Sequence, residues 1–174
     1  MIITKPFNFK KWIEENRKFL VPPINNKIVY KDAEFIIMVV GGPNSRKDYH
    51  YNESEEFFYQ LEGDVIVKIQ ENGKATEIQI KEGDIFLLPP KVPHNPIRFN
   101  NTIGLVIERR RKQDEKDGLI WFCEKCNTKL YEEYFQLTDI TQQFQGIFTK
   151  FYNSKDLRTC KSCDYLMELP AIIS

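Results

Sequence analysis

The chain has 174 residues and a mass of 20.7 kDa, enough for one well-buried domain with a small appendage but cramped for two. Hydrophobic residues make up 41% and charged residues 29%, ordinary values for a water-soluble fold. With 25 Lys+Arg against 25 Asp+Glu there is no overall basic field to hold nucleic acid or anionic lipid. The run MIITKPFNFKKW has no apolar signal-like stretch, and no segment approaches the roughly 18 apolar residues of a membrane span. A soluble cytoplasmic protein with no nucleic-acid and no membrane partner is expected.

In chain order, Asn8 is placed to cap a short amphipathic helix carrying Phe9, Trp12, Ile13 and Leu20, which Pro22-Pro23 ends. From there to about Arg110 the pattern is β. Strand-like runs are Lys27 to Tyr30, Glu34 to Val40, Glu55 to Leu61, Val65 to Ile69, Thr76 to Ile80, Ile85 to Leu88 and Ile103 to Arg109. Asn72-Gly73 marks a hairpin, and Gly63, Gly83 and Pro89-Pro90 punctuate the rest. Short strands at this spacing predict a sandwich or barrel over residues 1–110. The stretch RRRKQDEKD, Arg109 to Asp117, reads as a solvated linker into an extension over residues 111–174, with a helix predicted from about Asp139 to Phe151.

The chain has only two histidines, His50 and His94, and each sits where a metal site on a β-barrel would need it. In the strand around Glu56, residues Phe57, Tyr59 and Leu61 face one way and Glu56, Phe58 and Gln60 the other, so Glu56 is aimed at an interior. A buried lone carboxylate is costly and is usually paired or bound to a cation. Six residues of continuous strand would separate His50 from Glu56 by roughly 20 Å, so the chain must turn between them, and Asn52-Glu53-Ser54 has turn chemistry. Two imidazoles and one carboxylate form the facial triad that leaves open positions on Fe(II), although Zn²⁺ with a bound water uses the same ligands. The four cysteines form two CxxC pairs, Cys123/Cys126 and Cys160/Cys163, separated by 33 residues, and can supply four thiolates to one tetrahedral iron or zinc ion. A nucleic-acid-binding zinc ribbon is the rival reading, against which stand the long spacing and the absence of a strong basic excess.

The segments PFNFKKWI, LVPPINNK, VVGGPNSRKDYH, EEFFYQLEG, EGDIFLLPP, VPHNPIRF and LVIER, followed by both CxxC pairs, resemble the cupin superfamily and, more narrowly, the 3-hydroxyanthranilate 3,4-dioxygenases of the bacterial and fungal type. Asp48 stands where the general cupin pattern has the first histidine of a His-x-His pair, and Arg98 and Lys91 replace a terminal asparagine and a glycine. These departures fit a three-ligand site. The resemblance implies a mainly β cupin, a double-stranded β-helix or jelly-roll barrel, with a short N-terminal helix and a small metal-bound C-terminal extension. It also implies catalytic Fe(II) on His50, Glu56 and His94, with a rubredoxin-like second iron, or zinc, on the cysteines.

The substrates it implies are 3-hydroxyanthranilate and dioxygen, converted to 2-amino-3-carboxymuconate semialdehyde on the way to quinolinate and NAD, by a homodimer. Arg98, on the same strand face as His94, would clamp the substrate carboxylate. Glu108 and Glu56 would help bind substrate, with Glu108 able to accept a proton. Arg46 would stand beside dioxygen. Asn26 and Asp48 match further pocket positions. A non-catalytic cupin binding another small acid is the alternative.

Overall fold

The computed structural model describes residue 3, residues 5–138 and residues 140–171. Helix α1 spans Phe9–Asn16, and the Asn8 side chain accepts a hydrogen bond from the Lys11 backbone N–H at 2.9 Å, as its sequence predicts. A 3-10 turn, Arg17–Phe19, carries the chain on to Leu20. The strands are β1 (Asn26–Ile28), β2 (Phe35–Gly41), β3 (Tyr49–Tyr51), β4 (Glu56–Glu62), β5 (Val65–Glu71), β6 (Lys74–Ile80), β7 (Ile85–Leu88), β8 (His94–Arg98), β9 (Ile103–Arg109), β10 (Asp117–Phe122) and β11 (Lys129–Phe135). Helices α2 (Ile140–Asn153) and α3 (Lys155–Arg158) complete the chain. Asp139, where the second helix was expected to begin, lies outside the described residues.

The strands form two antiparallel sheets, ordered β1-β2-β9-β4-β7 and β11-β10-β3-β8-β5-β6. Their inner faces meet in one apolar cluster, with Phe58, Leu88 and Val106 from the first sheet against Val65, Val67, Ile69 and Ile80 from the second. Alternation explains the choice: along β4, Glu56, Phe58 and Gln60 are buried while Phe57 and Tyr59 are only half-buried. The hairpin between β5 and β6 turns on Asn72 and Gly73, with φ of 51° and 75°, the left-handed pair that a two-residue turn requires. The protein is mainly β, with the short N-terminal helix expected. The expected barrel does not close: among the described residues no ladder joins the two sheets, and β1, β7, β11 and β6 each pair on one side only.

Four strands depart from the predicted set. β3 and β8 carry the two histidines, and β10 and β11 lie in the cysteine-bearing region. β10 pairs with β3 as well as β11, so it extends the second sheet. On it Leu119 and Trp121 pack with Phe144, Ile147, Phe148 and Phe151 of α2, and the Trp121 and Phe151 rings stack at 4.2 Å. The stretch read as a solvated linker is exposed at Lys112, Gln113 and Asp114, but Asp117 is fully buried and the Arg111 side chain is only 7% exposed. None of the helices described is long and apolar enough to cross a membrane.

Candidate active site

β3 and β8 pair through a single residue couple, His50 opposite His94. Glu56 opens β4 on the other sheet and faces them across the interior, so that one ligand atom from each of the three residues lies within 4.8 Å of the others. The chain between His50 and Glu56 does turn, with Ser54 N–H bonding Asn52 Oδ1 at 3.3 Å. Glu56 Oε2 lies 3.1 Å from His94 Nε2, close to the roughly 3 Å edge between neighbouring ligands on an ion with bonds of about 2.1 Å. His94 Nδ1 is directed at the Val92 carbonyl at 3.1 Å, which leaves Nε2 for the ion. His50 Nε2 is engaged by Asp117 Oδ2 at 2.7 Å, which leaves Nδ1. The residues therefore fit a metal ion.

The electrostatics follow from this enclosure. Burial works to raise the Glu56 carboxyl, but the charge and hydrogen bond of His94, with His50 and Arg111, hold it down at about 2. Burial depresses His50, and in His94 the burial penalty is outweighed by Glu56, which raises it. An anionic carboxylate between two imidazoles is the charge state a divalent cation requires.

Arg98, 3% exposed, lies on the same face of β8 as His94. Gly104 makes room for it: a Cβ there would sit 2.8 Å from Arg98 Nη1. Among the described residues Nη1 has no hydrogen-bond partner, and burial lowers the guanidinium to about 10 against the opposing pull of Glu56. Such a group is expensive to bury and is suited to receive an anion. Glu108, 6% exposed, stands opposite Glu56 in the β4–β9 register, and burial together with the Glu56 charge pushes it up to about 7. Arg46 is held by Asp48, with Nε at 3.0 Å and Nη2 at 2.5 Å, and lies over the rings of Phe144 and Phe148 at 5.4 and 5.3 Å. Asp48 is buried, whereas Asn26 is exposed and donates to the Ile24 carbonyl at 3.1 Å, so Asn26 is not brought into the site.

Sequence reasoning missed Asn52, Arg111, Asp117 and Phe144. Asn52 Nδ2 reaches both Glu56 at 3.3 Å and Glu108 at 3.1 Å, and the Phe144 ring lies 5.6 Å from His50. No local pattern marks Asp117: β10 is buried along nearly its whole length, and the contact that engages its carboxylate comes from His50, 67 residues away.

The four cysteine sulfurs lie within 4.8 Å of one another, with Cys123 to Cys163 at 3.6 Å and Cys126 to Cys160 at 3.5 Å. Thiolates on a tetrahedral ion with bonds of about 2.3 Å would be about 3.8 Å apart. Two matching knuckles present them: Asn127 N–H bonds Cys123 O at 2.9 Å and Asp164 N–H bonds Cys160 O at 3.0 Å, with Asn127 and Asp164 at φ of 59° and 57°. Thr128 holds the Cys126 thiol down to about 6. All four are free of disulfides and fit a closed metal site.

Two facing antiparallel sheets with a two-histidine, one-carboxylate cluster between them, able to hold a metal ion, define a cupin. The family model of 3-hydroxyanthranilic acid dioxygenase matches residues 1–152, and the chain belongs to that family. It is 52% identical over 169 residues to 3-hydroxyanthranilate 3,4-dioxygenase of Xanthomonas euvesicatoria pv. vesicatoria, covering 97% of this chain and 96% of that protein. With the protein of the same name from Bacillus thuringiensis it shares 48% identity over 162 residues, 92% of this chain and 90% of the relative. Among solved structures, a cupin-2 domain containing protein from Shewanella frigidimarina is similar at a TM-score of 0.46 and 14% identity, covering 60% of this chain and 94% of that one.

Proposed function

We propose that this chain opens the ring of 3-hydroxyanthranilate with dioxygen, giving 2-amino-3-carboxymuconate semialdehyde and, downstream, quinolinate for NAD synthesis. The observation that carries the reading is Arg98: a buried guanidinium with an unpartnered Nη1 on the same strand face as His94, where a substrate carboxylate would satisfy it. The relatives at 48–52% identity carry the name of this activity. Fe(II) held by His50, Glu56 and His94 would supply the chelation of the substrate hydroxyl and amine and the one-electron chemistry that dioxygen needs.

The chain's own residues do the rest. Arg98 orients the ring by its carboxylate. Glu108, raised to about 7 by burial and Glu56, is matched at neutral pH to taking a proton from the hydroxyl or amine. Arg46, fixed by Asp48, offers a cation to negative charge developing on oxygen. Phe58, whose ring lies 6.2 Å from His94, and Phe144 keep water from that side of the centre. The cysteine site takes a second iron, or zinc, in a structural role, supported by the donor set.

Two further features of the reading concern assembly and compartment. Ile37, Ile107, Phe57 and Leu87 are register partners across four strands and form an apolar stripe on the outer face of the first sheet, with Leu87 53% exposed. A second copy of the chain covering this stripe gives the homodimer we propose. Four thiols free of disulfides suit the reducing cytoplasm.

The test is oxygen uptake by metal-stripped protein reloaded anaerobically with Fe(II), then given 3-hydroxyanthranilate and air. Stoichiometric oxygen use with formation of the ring-opened product, lost in His94→Ala, is the expected result. Iron bound at the His/Glu/His site without turnover would instead leave a cupin that only binds a small aromatic acid.

A further inference from the structure

Asp117 and Arg111 sit at the two ends of a surface loop, yet both side chains are withdrawn from water, at 0% and 7% exposure. Asp117 Oδ1 accepts Arg111 Nε at 2.7 Å, and Oδ2 accepts Arg111 Nη2 at 2.6 Å while meeting His50 Nε2 at 2.7 Å. The remaining arm of the guanidinium, Nη1, lies 2.7 Å from Glu108 Oε2, an ion pair without the alignment of a hydrogen bond. Asn52 Nδ2 then bridges Glu108 Oε2 to Glu56 Oε2. The contacts run from His50 through Asp117, Arg111, Glu108 and Asn52 to Glu56, so they start on one proposed metal ligand and end on another.

Strand geometry makes this arrangement specific. Leu119 is the register partner of His50, and Asp117 lies two residues before it, on the same sheet face as the imidazole. Burying an ion pair carries a large desolvation cost, and an apolar pair of similar volume often serves stability as well. A salt bridge whose purpose was to close the loop would have no need to share its oxygen with a histidine or its third nitrogen with a second acid.

We propose that Asp117 and Arg111 are positioning residues of the metal centre. Asp117 holds the proton of His50 on Nε2 and so keeps Nδ1 turned to the ion. Arg111 fixes Asp117 by hydrogen bonds from Nε and Nη2 and holds Glu108 by charge through Nη1, so a single guanidinium sets the proposed metal ligand and the substrate-facing acid in one register. The proposal rests on His50, Glu56 and His94 being the metal ligands. Partners of metal-bound histidines typically contribute 10–100-fold to affinity.

The test is Co(II) binding to the metal-stripped full chain, followed by visible absorption, where the near-ultraviolet thiolate bands of the cysteine site separate it from the His/Glu/His site. In Asp117→Asn and in Arg111→Gln, Co(II) affinity of the His/Glu/His site is expected to fall on the order of 10–100-fold. Its visible bands should shift at saturation, and the thiolate bands should stay as in the wild type. A merely structural role would lower thermal stability and leave the saturated spectrum unchanged, and that result would overturn the proposal. Wild-type affinity in both variants would overturn it as well. Should Asp117→Asn not fold, Arg111→Gln decides alone, since it leaves the Asp117 carboxylate in place. Wild-type chain that takes up Co(II) only at the cysteines would instead sink the metal reading of the barrel residues, a failure that is visible before any variant is made.

Discussion

His50 and His94 face each other as register partners across β3 and β8, with their ring centroids 5.4 Å apart. The only two imidazoles of the chain thus arise from adjacent strands of one sheet, while the carboxylate that completes the set crosses from the other. A site split between sheets depends on the sheets staying packed.

Glu56→Ala should abolish metal binding between the sheets and leave the cysteine site filled. Elemental analysis of purified protein is expected to fall from two ions per chain to one. Retention of both ions would show that the carboxylate is not a ligand.

Arg98→Ala should raise the KM for 3-hydroxyanthranilate and cut kcat/KM by on the order of 10²–10³, the loss of a bidentate charge-assisted contact. 2-Aminophenol, which lacks the carboxylate, should be turned over equally by wild type and variant. A variant that treats the two compounds as the wild type does would remove the clamp from the mechanism.

Glu108 titrates at about 7 because burial and Glu56 disfavour its anion. If its carboxylate accepts the substrate proton, kcat/KM rises with pH through neutrality, and Glu108→Gln flattens that limb. The stability effect has the opposite sign. The folded pKa lies above the ordinary 4.5, so in the metal-free protein the favourable state is present below 4.5 and is lost as pH rises to about 7. Chemical denaturation of metal-free wild type and Glu108→Gln across that window should show a difference in stability between the two that falls as pH rises from 4.5 to about 7.

If the four cysteines hold a metal that staples the end of the chain, Cys160→Ser should release it and loosen the cluster of Trp121, Phe144, Phe148 and Phe151. A fall in the thermal midpoint on the order of 10 °C is expected, which corresponds to roughly 3–4 kcal/mol for a chain of this size. Trp121 fluorescence should shift red in the same variant.

Leu87→Glu would place a charge in the centre of the apolar stripe on the first sheet. Sedimentation is expected to report a dimer for the wild type and a monomer for the variant. A monomeric wild type would end that assignment.

Much of this was legible in the residues themselves. Strict alternation in EFFYQLE turned Glu56 inward, Asn72-Gly73 announced its hairpin, and the two CxxC pairs assembled as their spacing suggested. β8 was hidden because HNPIR contains a proline. The structure tolerates Pro96 because the β3–β8 ladder is confined to His50 and His94, so little backbone pairing is lost beyond it. Arg111 and Asp117 were hidden inside a run of charges, in which composition cannot tell the two that turn inward from those that face water. The pairing that distinguishes them spans 67 residues, from His50 to Asp117, and no local pattern carries it.

β10 occupies the place beside β3 in the second sheet, covering a strand of three residues that holds His50, a proposed metal ligand. Cutting the chain ahead of Asp117, as one would to obtain a minimal catalytic fragment, would leave β3 with bare amide and carbonyl groups along one side. Exposed edges of that kind recruit strands from other molecules. The extension therefore covers that edge as well as carrying the four-cysteine cluster, and shortened versions should be screened for aggregation before their chemistry is judged.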